Sequence, residues 1–275
     1  MPCVLGPVQR WSRLFISVAK LNVEYSDSQI LNNLDELAKA LHSLLYRVRL
    51  LFAKPMQGHV FHILNLYYIV EHCRQADHAP IKTLLSSEAL PQNSGGLGVA
   101  VMEICDTFEQ NLSLCKKQYK EECLSSHMPD MFLYTMRAEK LLKSGASTAS
   151  ICKELGDVTL IRVRCGSSTC MPVSAVRPAV NGSPLTIGCV VQKRIRDFKD
   201  RWKQMVSIIR QEVHTNFAAS EACQRDMTHS CLEEMYNQYK SFLEVLNAQG
   251  GDAKEAVAEG PTLQTLAYEL REMVR

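Results

Sequence analysis

The stretch "SDSQILNNLDELAKALHSLLYRVRLLFAKP", residues 26–55, carries the most regular apolar pattern in the chain. One row of apolar residues alternates steps of four and three, and a second row repeats every seven residues. The first row is Ile30, Leu34, Leu37, Leu41, Leu44, Val48 and Leu51, and the second is Leu31, Ala38, Leu45 and Phe52. A stripe of this width is typical of a helix in a bundle rather than in a two-stranded coiled coil.

Sequence signals at both ends of this stretch also indicate a helix. Ser26 and Gln29 have the spacing of a capping box, in which side chains bond the unpaired N–H groups of the first turn. Arg47 and Arg49 lie in the last turns, where positive charge favours the negative end of the helix dipole. Pro55 then ends the predicted helix, because proline has no N–H group to donate.

Similar periodicity recurs along most of the chain and predicts an all-α protein. We expect about eight helices, arranged as antiparallel helical hairpins in one or two bundles. The predicted parts are an N-terminal bundle over 1–157, a flexible insertion over 158–189 and a long hairpin over 190–249. A polar, glycine-containing linker over 250–260 leads to a terminal amphipathic helix over 261–275.

The insertion over 158–189 differs in composition from its surroundings. It is rich in glycine, proline, serine and asparagine, which favour turns over a packed core. We interpret it as an irregular connection that is either disordered or a short β-hairpin formed by "VTLIRV" and "PLTIGCVV". A zinc site would need two close pairs of ligands, but only Cys165 and Cys170 form such a pair, and Cys189 stands alone.

No catalytic, cofactor or metal site is predicted elsewhere. His59 and His62 are one helical turn apart and could share a metal ion, but no third ligand lies at a helical spacing that would reach it. We therefore expect them to be partly buried, hydrogen-bonded histidines. The sequence also has no glycine-rich phosphate loop, no G-x-S-x-G elbow and no H-E-x-x-H motif.

Composition limits the classes of partner and the compartment. The chain has 31 basic and 29 acidic residues, and a net charge of +2 makes nucleic acid an unfavoured ligand. Eleven cysteines without an evident signal peptide indicate a reducing compartment, and we expect the cytoplasm, with the nucleus as an alternative and a mitochondrial presequence less favoured. The longest strongly apolar run, residues 60–70, is about half as long as a membrane-crossing helix.

The segment "VVQKRIRDFKDRWKQMVSIIRQEV", residues 190–213, predicts a helix with an apolar stripe bordered by basic residues. At about 100° per residue, Lys193, Arg194 and Arg201 fall toward one edge of the stripe and Arg210 toward the other. We predict that these basic edges bind a partner protein. Two alternatives remain. Such side chains can simply be solvated beside a core stripe, or they can lie on an anionic membrane.

The terminal segment "PTLQTLAYELREMVR" predicts the second candidate contact, with Leu266, Leu270 and Met273 in line on one face. A short amphipathic helix after a soft linker either docks on its own bundle or enters the groove of a partner. Both alternatives are compatible with the pattern.

These features favour a non-enzymatic adaptor or scaffold that binds other helical proteins as a subunit of an intracellular complex. The helical hairpins resemble, in a general way, those of helical scaffold modules in signalling and vesicle-trafficking complexes. One alternative is a peripheral membrane protein of trafficking or autophagy that uses the basic helix. Another is an enzyme with a pocket around His59, His62 and Glu71, which would need convergent polar groups in a concave site.

Overall fold

The computed structural model describes residues 3–25, 28–76, 95–145, 185–249, 257–258 and 260–274. Within these ranges the chain forms eight helices and no strand, so the prediction of an all-α protein is confirmed. The helices are α1 (Gly6–Tyr25), α2 (Ser28–Arg49), α3 (Pro55–Ala76), α4 (Gly95–His127), α5 (Pro129–Lys143), α6 (Leu185–Asn216), α7 (Glu221–Gln249) and α8 (Leu263–Val274).

The central insertion is only partly described. Residues 158–184 lie outside the described ranges, and so do Cys165 and Cys170. Helix α6 begins at Leu185, earlier than the predicted Val190, so the second half of the suggested hairpin is helical. The predicted domain limits of 1–157, 158–189, 190–249, 250–260 and 261–275 stay predictions.

The turn between α2 and α3 refines the prediction for residues 26–55. Helix α2 ends at Arg49, and Leu51 N then donates to Val48 O at 3.1 Å in a tighter final turn. Pro55 does not end α2 but is the first residue of α3, a position where the missing N–H group costs no hydrogen bond. The predicted cap at Ser26 lies outside the described residues.

Gly58 allows the start of α3 to approach the end of α2. A Cβ atom on Gly58 would lie 2.7 Å from the Arg49 carbonyl oxygen and 3.2 Å from Arg49 Cγ. The nearer of these atoms belongs to the backbone, which cannot move aside as the end of a long side chain can. Only glycine therefore fits this crossing without a shift of one helix.

The described residues divide into two compact units. The first comprises Met1–Cys123 and Gln211–Thr228, and its core surrounds α3. Its large buried residues include Phe15, Phe108 and Tyr119. Trp11 stacks on Phe15 with ring centroids 4.9 Å apart and meets Phe108 edge-on at 5.1 Å. These contacts join α1 to α4 through aromatic packing.

Asn65 connects the start of the chain to α3. Its side chain is fully buried, and its Oδ1 accepts a hydrogen bond from Leu5 N at 2.8 Å. Its Nδ2 donates to Cys3 O at 3.2 Å and to Phe61 O at 2.8 Å. A buried amide with these partners is satisfied, and it holds residues 3–5 against α3.

The second unit comprises Leu124–Arg210 and His229–Arg275. Its core contains two aromatic pairs. Tyr134 of α5 meets Phe242 of α7 edge-on at 5.4 Å, and Phe198 of α6 stacks on Tyr239 of α7 at 4.4 Å. Helix α8 belongs to the same unit. The unit therefore contains both candidate contacts predicted from the sequence.

We expect the substitution Gly58→Ala to destabilise the first unit, because the added methyl group would collide with the Arg49 backbone. The free energy of unfolding should fall by about 1–2 kcal/mol. This value is the cost of overpacking, reduced because alanine has a better helix propensity than glycine. Urea denaturation followed by circular dichroism measures this change. Gly6→Ala is the matched control, because the nearest atom to its new Cβ is Arg10 Nη2 at 4.0 Å. Equal stability of the two variants would contradict the prediction.

Candidate interaction surfaces

The apolar stripe of α6 is buried, as its spacing predicts. The buried residues are Ile195, Phe198, Trp202, Val206, Ile209 and Val213. An amphipathic helix lying on a membrane would need this stripe to be open to lipid. In the described arrangement the stripe fills the protein's own core, and only the edges of the helix remain available to a partner.

The two basic edges of α6 are partly described. Arg201 and Arg210 are exposed, as a partner-binding role requires. The backbone of Lys193 and Arg194 is helical, but their side chains lie outside the described part of the structure. The binding role of these basic edges stays a prediction.

Another basic residue of α6, Lys203, contacts the terminal helix. Its Nζ lies 2.6 Å from Glu269 Oε2 of α8 and 5.3 Å from the centre of the Trp202 ring. Glu269 is partly buried, so the ion pair is less screened than a fully exposed one. Lys203 therefore serves contact within the chain.

Helix α8 docks on its own unit, which is one of the two alternatives that the sequence left open. Leu266 and Leu270 are buried, and the Met273 side chain lies outside the described part. Thr262 Oγ1 accepts from Thr265 N at 3.1 Å and caps the helix. A partner-binding role for Leu266 and Leu270 stays a prediction and requires α8 to leave this position.

The segment before α8 is fitted closely to α7. Tyr239 Oη donates to Pro261 O at 3.0 Å, and burial raises the Tyr239 pKa, so the hydroxyl keeps its proton. A Cβ atom on Gly260 would overlap the Tyr239 hydroxyl oxygen and lie 3.1 Å from Ile195 Cγ2. Glycine at 260 therefore sets how closely the start of α8 approaches its neighbours.

His59 and His62 are buried in the first unit, more deeply than the partial burial that we expected from the sequence. Cys115 Sγ is 3.3 Å from His62 Nδ1. Burial raises the Cys115 pKa, so the thiol stays protonated and donates a hydrogen bond to His62 Nδ1. His59 Nε2 is 3.3 Å from Glu122 Oε2 and 3.5 Å from Arg49 Nη2. Arg49 has only N–H donors, so the N–H of His59 Nε2 donates its hydrogen bond to the Glu122 carboxylate. Arg49 contributes a nearby positive charge.

Burial and this positive charge hold both imidazoles neutral. Burial, with a further effect of Arg49, lowers the pKa of His59 to about 4 and that of His62 to about 4. Neither histidine lines a described surface groove. One groove of about 420 Å³ is lined by other residues, among them Lys39 and His42, and a second of about 480 Å³ lies between α7 and α8. The predicted catalytic pocket around His59, His62 and Glu71 has no support here, because both histidines face the core and Glu71 is exposed.

One surface was missed by the sequence analysis, which assigned both apolar rows of α2 to a single buried stripe. Among the described side chains of these rows, the buried ones are Leu34, Ala38, Leu41 and Leu45. An outer apolar row, defined as Ile30, Leu37, Leu44 and Leu51, is exposed. Its members are separated by seven residues each, and this spacing was the available signal. A row with a strict period of seven suggests a second helix-packing face.

No helix of the described ranges is both long enough and apolar enough to cross a bilayer.

We expect Gly260→Val to loosen α8, because the new side chain would collide with Tyr239 and Ile195. Amide hydrogen exchange in residues 263–274 should become at least about tenfold faster, while exchange in α2 stays unchanged. Hydrogen-exchange mass spectrometry measures both segments at once. The matched control is Ala258→Val, at an exposed position of the same segment. Unchanged exchange in α8 of the Gly260→Val protein would refute the proposed fit.

We expect acid to destabilise the first unit through His62. Its pKa is about 4 in the folded protein, against an ordinary histidine value of 6.5, so the unfolded chain binds the proton more tightly. The contribution of neutral His62 is complete above pH 6.5 and is lost as the pH falls towards 4. It should amount to about 1–3 kcal/mol.

Urea unfolding at several pH values, with wild type compared with His62→Gln, measures this contribution. Stability should fall less steeply between about pH 6.5 and about pH 4.5 in the variant. His59, whose pKa is also lowered to about 4, and Glu122, whose pKa burial raises, are present in both proteins of this comparison. The exposed His214→Gln is the control and should keep the wild-type slope. Parallel stability curves for wild type and His62→Gln would rule out this role.

Comparison with known proteins finds two relatives. The chain is 24% identical over 265 residues to vacuolar protein sorting-associated protein 52 A of Arabidopsis thaliana, an alignment that covers 96% of this chain and 29% of the relative. It is 25% identical over 211 residues to vacuolar protein sorting-associated protein 52 B of the same plant, covering 77% of this chain and 22% of the relative. The chain thus spans less than a third of each relative's length. No family model matches the sequence, and no solved structure matches it significantly.

Proposed function

We propose that this chain is a non-enzymatic helical scaffold subunit of a vacuolar protein sorting assembly, in which it binds other helical proteins. The observation that carries the proposal is the alignment to vacuolar protein sorting-associated protein 52 A, which extends over 96% of the chain. Similarity along almost the whole chain supports a shared arrangement of helices rather than one shared motif. It also agrees with the helical interaction protein predicted from the sequence.

The structure supports this proposal through the kind of surface it offers. The described surface consists of helix ridges and shallow grooves, and helical proteins recognise one another by packing such ridges into grooves. Arg201 and Arg210 are exposed beside a stripe that is already buried. Such residues at the rim of an interface mainly steer association and select the partner.

We infer that the basic edges of α6, with Lys193, Arg194 and Arg201 toward one side and Arg210 toward the other, contact acidic helices of other subunits on the cytoplasmic side of the membrane. Lys193, Arg194 and Arg201 lie toward the same edge, so one acidic helix could meet these three at once. Leu266, Leu270 and Met273 would join the contact only after α8 leaves its position. A nucleic acid partner is unfavoured, because the chain has a net charge of only +2.

Affinity purification from cells, followed by quantitative mass spectrometry, tests this proposal. The wild-type chain is compared with a variant that combines Lys193→Glu, Arg194→Glu and Arg201→Glu. The matched control combines Arg13→Glu, Arg137→Glu and Lys140→Glu, three exposed basic residues on other helices. The control changes net charge by the same amount but leaves α6 intact.

Sorting proteins should copurify in stoichiometric amounts with the wild-type chain and with the control. Their amount should decrease at least about tenfold with the α6 variant, which corresponds to a loss of binding free energy of ~1.4 kcal/mol or more. Equal copurification with the wild-type chain, the α6 variant and the control would place the contact elsewhere but keep the scaffold role. Absence of any sorting protein from the wild-type sample would overturn the proposed function.

A further inference from the structure

The outer apolar row, which runs along α2 and into the turn after it, has the properties of an unused helix-packing seam. Ile30, Leu37 and Leu44 of α2 are 42%, 43% and 39% exposed, and Leu51, in the turn after Arg49, is 82% exposed. Between them lie Asn33, Ala40 and Arg47, which are exposed as well. The seven residues together alternate steps of three and four, the spacing with which two helices pack along a coiled-coil seam.

This seam is separate from the face with which α2 packs in its own unit. That inner face consists of Leu34, Ala38, Leu41 and Leu45. At about 100° per residue, the two faces lie side by side around the helix, with their centres roughly a quarter turn apart. Packing within the unit therefore explains the inner face and leaves an aliphatic row in water, which is unusual unless it is covered by a partner.

We propose that the seam is covered by a second copy of this chain, with the two α2 helices antiparallel. This inference goes beyond the proposed function, since it concerns association of the chain with itself. It is supported by the order of side-chain sizes and charges along the seam. That order is self-complementary in one direction only.

Side-chain size favours the antiparallel direction. In an antiparallel pair, residues of the outer apolar row of one helix lie opposite the residues between the row members, Asn33, Ala40 or Arg47, of the other helix. One register sets Leu44 opposite Ala40 of the second copy, and the two-fold axis repeats this contact with the helices exchanged. Large residues then face small ones at the centre, which allows the two helices to approach closely.

Charge favours the same arrangement. In this register Arg47 lies opposite Leu37 of the second copy, with Glu36 of that copy beside it. The Glu36 side chain is 74% exposed, and its contact with Lys39 at 3.1 Å leaves it accessible. Two Arg47–Glu36 pairs would thus flank the centre. A parallel pair would instead set Arg47 against Arg47 within the seam, where like charges repel.

Sedimentation equilibrium of the purified full chain over a wide range of concentrations measures the association. Wild type should be a dimer, and the combined substitution Leu37→Asn with Leu44→Asn should raise the dimer Kd at least about a hundredfold. The control combines Leu114→Asn with Ile208→Asn, two exposed apolar residues on α4 and α6. Circular dichroism verifies that all proteins stay folded, which is expected because the substituted residues are exposed.

A charge exchange tests the direction of the helices. Glu36→Arg alone and Arg47→Glu alone should each weaken the dimer about tenfold, because each sets like charges together. The two substitutions combined should restore the wild-type Kd. In a parallel pair residues 36 and 47 would be about 16 Å apart along the axis, and no restoration would occur.

A cysteine crosslink tests the register. Ser43 is exposed and lies close to the proposed two-fold axis, so Ser43→Cys should give a disulfide-linked dimer under mild oxidation. Wild type, treated in the same way, accounts for the native cysteines. A wild-type chain that is monomeric at every concentration would overturn the proposal and would assign the seam to another protein or to another segment of this chain. A dimer that persists in the Leu37→Asn, Leu44→Asn protein would overturn it as well.

Discussion

Burial of α3 on nearly every side is the constraint on which the first unit depends. The buried part of such a helix loses contact with water, so a polar side chain there needs a partner inside the protein. Asn65 is satisfied by binding the backbone of residues 3–5. His62 is satisfied at Nδ1 through the Cys115 thiol, whereas its buried Nε2 has no partner among the described residues. The polar groups of α3 therefore determine how its neighbours are placed, while its apolar residues supply most of the stabilising burial.

The same competition between inner packing and outer contact explains the second unit. Helix α6 has an apolar stripe that could serve a membrane or a partner, but the stripe is buried among the protein's own helices. Helix α8 uses Leu266 and Leu270 in the same way, and the Lys203–Glu269 pair adds a contact at the edge. What remains for recognition is the charged edge of a helix. Such an edge contributes more to the rate and specificity of association than to its affinity.

Helix α2 shows how one apolar pattern can serve two purposes. The apolar stripe of α2 is continuous in the sequence and is wider than one packing interface requires. Helices α1 and α3 cover only part of it. The outer apolar row has a period of seven and the inner face combines steps of three and four. A helix with about 3.6 residues per turn separates these rows by roughly a quarter turn. The helix can therefore be part of a core and still offer a seam to a second helix.

The sequence by itself determined the fold class, the approximate helices and the apolar face of α6, because helical periodicity is a local property. It also indicated that His59 and His62 are hydrogen-bonded rather than metal-binding. Only the tertiary structure decided that Leu266 and Leu270 face their own unit and that Ile30, Leu37, Leu44 and Leu51 face water. The physical reason is that periodicity identifies apolar faces but carries no information about their occupants. Which face is covered depends on neighbours that are distant in the chain, such as α7 for α8 and α3 for α2.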